Sequence, residues 1–435
     1  NKLADEKEAS FTIYYRSFRI LMAKRDRWDS SSSEDEDNTK QKCSRKKVSH
    51  IVAAYDSNKG GIRCSTKITQ NDVNLPPYHN PLLQGCRSVY DTYDRIARLS
   101  EGTYGIVWKA KDLATNEIVA LKQIKFEDQQ QQLKVQGFPV TALREINVLM
   151  ALSSHENIVS VREMVVGNDA DKVFMVMEFY KEDLQEAMQR RKYPNVLRQA
   201  ELKGIMQQIL KGVHYMHSKW FMHRDLKTSN ILCHNSTGRV ALCDLGLARR
   251  FQDPPGKNLT QLVVTLHYRA PELLFGEMRY TPAVDIWSIG CIFGELIKQE
   301  AIMQGQGELD QIDKIFSMLG APSEVSWPDF TKLPNAKIFR WRPSSNQENL
   351  DRLEKVFPIN PPPHFKQTFL DANGRDLLCK LLALNPKKRI SAREALEHNY
   401  FTEGILPMNP NFSEDDFNNL NNSSSTLQIG EVGIT

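Results

Sequence analysis

The chain has 435 residues, 40% of them hydrophobic, enough for two to three domains and at least one large core. Seven cysteines are far too few for a disulfide scaffold and point to reduced thiols in an intracellular protein. No run approaches the ~18 apolar residues that a membrane span needs, so spanning and secretion are both disfavoured.

The net charge of +4 is unevenly placed: residues 1–88 hold 16 Lys and Arg against 11 Asp and Glu, and the remainder holds 41 against 42. Ser30 to Asp37 forms an acidic serine block, followed by a basic block of Lys40, Lys42, Arg45, Lys46 and Lys47. Like-charge blocks stay solvated, and residues 1–88 are expected to be disordered. The basic block reads as a nuclear address or a nucleic-acid contact, the acidic one as a site for phosphorylation, and each also as a plain solvated linker.

From Tyr93 the texture changes. Residues 95–99 and 106–110 alternate apolar and polar side chains about a Gly-containing turn, which predicts a hairpin, and Glu117 to Ile124 repeats the pattern as a third strand. Gln129 to Gln132 reads as a loop. After Pro139 the spacing of Val140, Leu143, Ile146, Val148, Leu149 and Leu152 becomes helical, Lys172 to Phe179 is strand-like, and beyond Leu184 the period is mainly near 3.6. A strand-rich small lobe followed by a helix-rich large one is an α+β arrangement sharing one cleft. Residues 402–435 read as a polar C-terminal tail.

Ser100-Glu101-Gly102-Thr103-Tyr104-Gly105 taken alone is only a turn. In a nucleotide-binding reading, the missing Cβ atoms of Gly102 and Gly105 let backbone N–H groups approach phosphates closely. No Gly-x-x-x-x-Gly-Lys-Ser/Thr pattern occurs, which closes the P-loop route. Lys122, on a strand of its own, is a point charge for phosphate oxygens. The context comes from His223-Arg224-Asp225-Leu226-Lys227-Thr228-Ser229-Asn230. Phosphoryl transfer needs a carboxylate to orient and deprotonate the accepting hydroxyl, a cation for the moving γ-phosphate and an oxygen ligand for Mg²⁺; Asp225, Lys227 and Asn230 provide all three. Asp244-Leu245-Gly246 offers a second hard oxygen ligand. The ordered set of glycine turn, strand Lys, helix Glu, His-Arg-Asp-x-x-x-x-Asn and Asp-x-Gly reads as a protein kinase.

Tyr93 to Phe401 resembles the catalytic domain of the cyclin-dependent kinases and, within them, the PITSLRE kinases. Gly137-Phe138-Pro139-Val140-Thr141-Ala142-Leu143-Arg144-Glu145 stands where their name-giving helix stands. Gln84 to Val89, and Val263-Val264-Thr265-Leu266 ahead of Tyr268-Arg269-Ala270-Pro271-Glu272, match that group too. The resemblance implies a bilobal kinase fold, with residues 93–180 as N-lobe and 181–401 as C-lobe. It implies that ATP lies under Leu99, Ser100, Glu101, Gly102, Thr103, Tyr104, Gly105, Ile106 and Val107. Lys122 is implied to contact the α/β-phosphates and to pair with Glu145. Glu178 and Tyr180 would offer backbone groups to adenine behind Met177, with Asp183 near the ribose. Asn230 and Asp244 are the implied Mg²⁺ ligands, Lys227 marks a Ser/Thr kinase, and Glu272 is implied to pair with Arg389 for stability.

The implied partner is a cyclin, packing on the helix after Pro139 so that Glu145 swings inward to Lys122. Thr103 and Tyr104 stand where inhibitory phosphates fall. Thr260 aligns with the activating threonine, whose phosphate would gather Arg144, Arg224 and Arg249. Val264, its carbonyl held by Arg269, would leave the residue after the target without an N–H partner, which favours Ser-Pro and Thr-Pro substrates. Leu309 to Trp327 resembles the extra helical insert of the group, a docking surface. The implied role is in cell-cycle control, transcription or pre-mRNA processing in the nucleus, with the cytoplasm as a second location.

Two other readings stand beside this one. A pseudokinase scaffold is opposed by the intact Lys122, Glu145, Asp225, Asn230 and Asp244, and an RNA- or chromatin-bound adaptor by the single short basic block. Three residues depart from the family pattern: Ser100 replaces the first lid glycine, Leu245 the Phe of Asp-Phe-Gly, and His267 a Trp. They are expected to weaken nucleotide affinity or loosen packing, and none removes a catalytic group.

Overall fold

The computed structural model describes residues 53–56, 61–64, 87–102, 105–124, 140–167, 172–190, 197–253, 255, 259, 264–328, 330–338, 352–359 and 369–412. The charge blocks, the glutamine run, Thr103, Tyr104 and Thr260 lie outside those residues. Within the segment expected to be disordered, strands β1 (Ala53–Asp56) and β2 (Gly61–Cys64) form an antiparallel hairpin, Ala53 opposite Cys64 and Asp56 opposite Gly61. The charge blocks do not extend into this stretch, whose strands carry one charge each.

The small lobe begins with a helical turn, α1 (Val89–Thr92), and five strands: β3 (Tyr93–Gly102), β4 (Gly105–Asp112), β5 (Ile118–Ile124), β6 (Val161–Val166) and β7 (Val173–Glu178). They form an antiparallel sheet in the order β3-β4-β5-β7-β6. Successive side chains point to opposite faces. Ala110, Val119, Leu121, Phe174 and Val176 accordingly meet Val89, Tyr93 and Val165 in one small core. Met175 instead joins Val148, Leu149 and Leu152 of helix α2 (Val140–Leu152) in the large core.

Residues 87–89, ahead of Tyr93, pack on this lobe. The Val166 N–H donates to the Arg87 carbonyl at 3.1 Å, Arg87 pairs with Glu163 at 3.0 Å, and Ser88 and Val89 are buried. These contacts reach across some 75 residues, so no local pattern signals them. Strand β6 was likewise unexpected, because Arg162-Glu163 and a bulge between Val161 and Glu163 break its alternation.

In the large lobe, β8 (Glu182–Asp183) leads into α3 (Leu184–Arg190) and then the 20-residue α4 (Gln199–Ser218). The other main helices are α5 (Pro271–Leu274), α6 (Ala283–Lys298), α7 (Glu308–Leu319), α8 (Ala372–Leu381), α9 (Ala392–Leu396) and α10 (Asn399–Thr402). α6 is apolar almost all round and lies in the middle of the lobe, with Trp287 fully buried. Short antiparallel pairings, β9 (Phe221–Met222) with β12 (Arg249–Arg250) and β10 (Ile231–Cys233) with β8 and β11 (Val240–Leu242), carry the loops of the site.

Residues 403–412 pack on the large lobe: the Met408 N–H donates to the Ala200 carbonyl at 2.9 Å, the Asn411 N–H to Glu201 at 3.3 Å, and Phe412 is fully buried. A Cβ on Gly204 would lie 1.9 Å from the Met408 carbonyl oxygen, so the glycine makes room for the strap. No helix among the described residues is long and apolar enough to cross a membrane.

Candidate active site

The β3–β4 hairpin carries the residues expected to cover the nucleotide. Ser100 faces Val107, Glu101 faces Ile106 and Gly102 faces Gly105 across the ladder. Leu99 is exposed, and Ile106 and Val107 are half-buried. Gly105 has φ +152°, and a Cβ there would stand 2.1 Å from the Gln123 carbonyl oxygen, so only glycine lets β4 lie this close to β5. Ser100 sits in the ladder beside a bulge between Arg98 and Ser100, and the serine is accommodated without loss of pairing.

Lys122 lies between Val107 on β4 and Met175 on β7. Its ammonium is 2.5 Å from Glu145 Oε1 and 3.8 Å from Asp244 Oδ1. Burial alone would lower its pKa, but Glu145 and Asp244 outweigh that and raise it, so Lys122 is a fixed cation at neutral pH. The inward swing of Glu145 that was expected to await a cyclin is already complete in this conformation.

The catalytic loop is tied to helix α6. Asp285 accepts the backbone N–H of His223 at 2.9 Å and of Arg224 at 2.8 Å, and bonds His217 Nε2 at 2.8 Å. Arg224 is thereby held at φ 67°. His223 Nδ1 accepts the Asp225 N–H at 3.3 Å while Nε2 meets the Cys243 carbonyl at 3.0 Å, which fits a neutral ring protonated on Nε2.

Around Asp225 the partners converge. Lys227 Nζ lies 3.1 Å from Oδ2, while Thr265 donates its N–H at 3.0 Å and its hydroxyl at 2.9 Å to Oδ1. Asn230 donates Nδ2 to the Asp225 carbonyl at 2.8 Å. Burial pushes the Asp225 carboxyl up, but Lys227 and Thr265 more than offset it and hold it below its ordinary value. A base kept ionised and fixed from three sides can orient a hydroxyl without itself wandering.

Neither Thr265 nor Asp285 stands out in the sequence as a support of the catalytic carboxylate or its loop. Both contacts bridge about 40 to 60 residues, so spacing carried no signal for them. The same is true of Glu295, which accepts from Thr228 at 3.1 Å and from Tyr268 at 2.7 Å and so ties the catalytic loop to the segment after Thr265.

At the junction of the lobes, Met177 faces Ala120 across the ladder, and Glu178 ends β7. Tyr180 is buried beside Val159 and Ala241. Asp183, expected near the ribose, also caps helix α3: its Oδ1 accepts the Glu186 N–H at 2.9 Å, and its own N–H donates to Glu186 at 3.3 Å. Burial raises its pKa.

On the activation side, Val264 sits at φ 70°, an unusual conformation for a β-branched residue. Its carbonyl accepts Arg269 Nε at 3.2 Å and Nη2 at 3.0 Å, and Arg269 is braced by Glu308 at 2.6 Å. Of the three arginines assigned to a phosphate on Thr260, Arg224 is not free: it donates to the Leu247 carbonyl at 2.7 Å and to the Tyr280 hydroxyl at 2.8 Å. Burying a guanidinium at this depth demands partners on the spot. No side-chain hydrogen bond or ion pair joins Arg144 or Arg249 to another described residue, while Arg249 pairs with Met222 through its backbone. Leu245 is fully buried in the same core as Leu149, and His267 Nε2 reaches the Gly305 carbonyl at 3.3 Å. Glu272 and Arg389 form a buried bidentate pair at 2.8 and 3.0 Å.

A metal has a suitable donor set here. Asp244, at φ 58°, has a buried Oδ1 without a hydrogen-bond donor, and the Asn230 amide spends its N–H on Asp225, leaving its oxygen available. Two oxygen donors suit a hard cation that takes its remaining ligands from phosphate and water.

A strand-rich lobe over a helical one, with a Lys–Glu pair, an ionised Asp beside a Lys, and an Asp and Asn at the cleft, defines a protein kinase. The protein kinase domain model matches residues 93–401. The chain is 46% identical over 344 residues to cyclin-dependent kinase G-2 of Oryza sativa subsp. indica, covering 79% of this chain and 46% of that protein. It is 46% identical over 325 residues to cyclin-dependent kinase 11 of Dictyostelium discoideum, covering 75% and 84%. With human cyclin-dependent kinase 11B it shares 44% over 334 residues, covering 77% and 39%. The chain thus spans less than half the length of the rice and human relatives. It belongs to the protein kinase family and, within it, to the cyclin-dependent kinases of the PITSLRE group.

Proposed function

We propose that the protein is a cyclin-dependent serine/threonine kinase that uses ATP and Mg²⁺ and prefers Ser-Pro and Thr-Pro sites. The observation that carries this reading is the Asp225 carboxylate, ionised and gripped by Lys227 and Thr265, within a site whose Lys122–Glu145 pair is closed. In that arrangement Asp225 orients the attacking hydroxyl and receives its proton, Lys227 faces the charge that develops on the moving phosphoryl group, and Lys122 holds the α/β-phosphates. Asp244 and Asn230 would hold the metal, which neutralises phosphate charge when bound. Gly105 and the strands beside it bring backbone close to the nucleotide.

Two further features support the substrate preference and the partner. With the Val264 carbonyl taken up by Arg269, a residue following the target Ser or Thr finds no acceptor for its N–H. Proline has none to lose, which favours it by roughly 1–3 kcal/mol, the cost of an unsatisfied donor. The relatives are named as cyclin-dependent kinases, and this chain has the matching helix at Val140–Leu152. Because Glu145 already meets Lys122, a cyclin would favour an accessible conformation rather than create one. The basic block at Lys40–Lys47 supports a nuclear location.

The test is to tag the chain, recover it from nuclear extract, identify the bound cyclin, and present the complex with a peptide array. Preferential phosphorylation of Ser-Pro and Thr-Pro over Ser-Ala is expected. Equal use of the two would reject the substrate assignment, and recovery with no cyclin would reject the partner.

A further inference from the structure

Arg239 does nothing in the chemistry described so far, yet it sits behind the strip 178–183 on which adenine and ribose are proposed to rest. It comes from the tight turn between β10 and β11. Its Nη2 donates to Glu178 Oε1 and, at 2.9 Å, to the Tyr180 hydroxyl, while that hydroxyl donates to Glu178 Oε2 at 3.1 Å. The three side chains close a ring of hydrogen bonds, with the guanidinium carbon 5.5 Å from the Tyr180 ring centre and His234 edge-on to the same ring. Glu178 and Tyr180 are the two residues whose backbone groups would meet the base.

The turn that carries Arg239 is itself held. The His234 N–H donates to the Arg239 carbonyl at 2.8 Å, and Gln208 bonds both the Val240 N–H at 2.9 Å and the Gly238 carbonyl at 3.1 Å. The strap 403–412 lies against it: Asn409 donates to the Thr237 carbonyl at 3.3 Å, and a Cβ on Gly238, at φ +66°, would stand 2.0 Å from the Pro410 carbonyl oxygen. At the other end of the strip, Arg190 bonds Glu182 and the Phe412 carbonyl, the latter at 3.0 Å. The strip is therefore fixed from behind at Glu178, Tyr180 and Glu182, and its supports run into a segment outside the part of the chain that matches the kinase domain model.

We propose that Arg239 is a positioning residue for nucleotide: by locking the Glu178 and Tyr180 side chains it presets the backbone groups that receive adenine. The proposal rests on the reading of Glu178 and Tyr180 as the adenine-binding strip. Because ATP arrives at a strip already in place, less ordering is left for binding to accomplish. Lys substitutes only in part, since both bonds come from Nη2 at the tip of the guanidinium, whose plane also lies against the Tyr180 ring, and a shorter ammonium side chain has neither that reach nor that face. Loss of the ring should therefore appear in the affinity for ATP and not in the transfer step, which depends on Asp225 and Lys227.

The experiment is steady-state kinetics on the full chain with its cyclin, comparing wild type with Arg239→Met, Arg239→Lys and Tyr180→Phe. Arg239→Met is expected to raise the KM for ATP about three- to tenfold, with kcat and the peptide KM within about twofold, as suits the loss of partly exposed charge-assisted bonds. Arg239→Lys should fall between, and Tyr180→Phe, which removes one hydroxyl and keeps the ring, should give a smaller rise of the same sign. A lowered melting temperature with an unchanged KM for ATP in both Arg239→Met and Tyr180→Phe means that the ring is only structural, and overturns the proposal. Purine riboside triphosphate, which lacks the exocyclic amine of adenine, separates this from the underlying reading. If the wild type uses it as well as ATP, the strip itself is misassigned; if the wild type prefers ATP and Arg239→Met does not change its KM, only the clamp is wrong.

Discussion

Replacing Thr265 by valine removes one hydroxyl and preserves the shape of the side chain, so it isolates a single contact with the catalytic carboxylate. In the structure that hydroxyl donates to Asp225 Oδ1 at 2.9 Å and accepts from Lys227 Nζ at 3.3 Å, joining the base to the cation beside it. A hydrogen bond to a charged group is worth about 1.5–3 kcal/mol, which converts to a factor of about 10 to 150 in rate if all of it is spent on positioning in the transition state. The backbone N–H of residue 265 keeps its 3.0 Å bond to the same oxygen, so the lower part of that range is expected: kcat reduced about 10- to 50-fold, with the KM for ATP near wild type. The direction of the pH effect is fixed as well. Burial raises the Asp225 carboxyl, and Lys227 and Thr265 bring it below its ordinary value; without the hydroxyl it moves upward but stays ionised near neutrality. Raising the pH from 7 to 8 should therefore not restore the rate, whereas Thr265→Ser should. A Thr265→Val enzyme with kcat within twofold of wild type, or one rescued by alkali, would refute the positioning argument.

Other expectations concern the scaffold. Arg389→Met strips Glu272 of its buried partner and is expected to cost about 3–5 kcal/mol in unfolding free energy, with Arg389→Met/Glu272→Gln recovering part of it; denaturant titration decides, and a loss below about 1 kcal/mol would contradict it. Gly204→Ala drives a Cβ into the Met408 carbonyl and should make residues 403–412 more susceptible to limited proteolysis, while unchanged cleavage would show that the strap adapts. Burial raises the Asp285 carboxyl, but His217 and the Arg224 N–H hold it below its ordinary value, so its contribution to stability is present above the unfolded pKa and lost as pH falls through the folded one. Asp285→Asn should therefore lower stability at pH 7 and flatten its fall on acidification; an unchanged acid slope would dispute that assignment.

How far the site was legible depends on how local each requirement is. Lys122, Asp225, Asn230 and Asp244 stand out in the sequence because each occupies a short segment with its own pattern, and helix α2 and the β3–β4 hairpin follow from periodicity and two glycines. The supports of those residues were not legible. Asp285 acts through backbone N–H groups 61 and 62 residues away, Thr265 through a carboxylate 40 residues away, and Glu295 through two hydroxyls on different segments. Such contacts exist only once the lobe is packed. Arg224 shows the same limit: its motif suggests a cation for a phosphate on Thr260, and nothing in that motif signals the bonds it makes to Tyr280 and the Leu247 carbonyl once the lobe is packed. The contacts of residues 87–89 and of the strap 403–412 leave no trace in composition, because they join partners far apart in the sequence. Arg239 could have been flagged only as a charge in a tight turn, since its partners Glu178 and Tyr180 are some 60 residues upstream.

The central claim is that Asp225 orients and deprotonates a protein hydroxyl for attack on ATP. The most direct measurement is transfer of labelled γ-phosphate to a Ser-Pro peptide by the chain purified with its cyclin, comparing wild type with Asp225→Asn. The account predicts Mg²⁺-dependent transfer by the wild type, and for Asp225→Asn a kcat lower by about a thousandfold or more while ATP still binds. Transfer by Asp225→Asn at the wild-type rate, or no transfer by a folded, cyclin-bound and nucleotide-binding wild type, would contradict it.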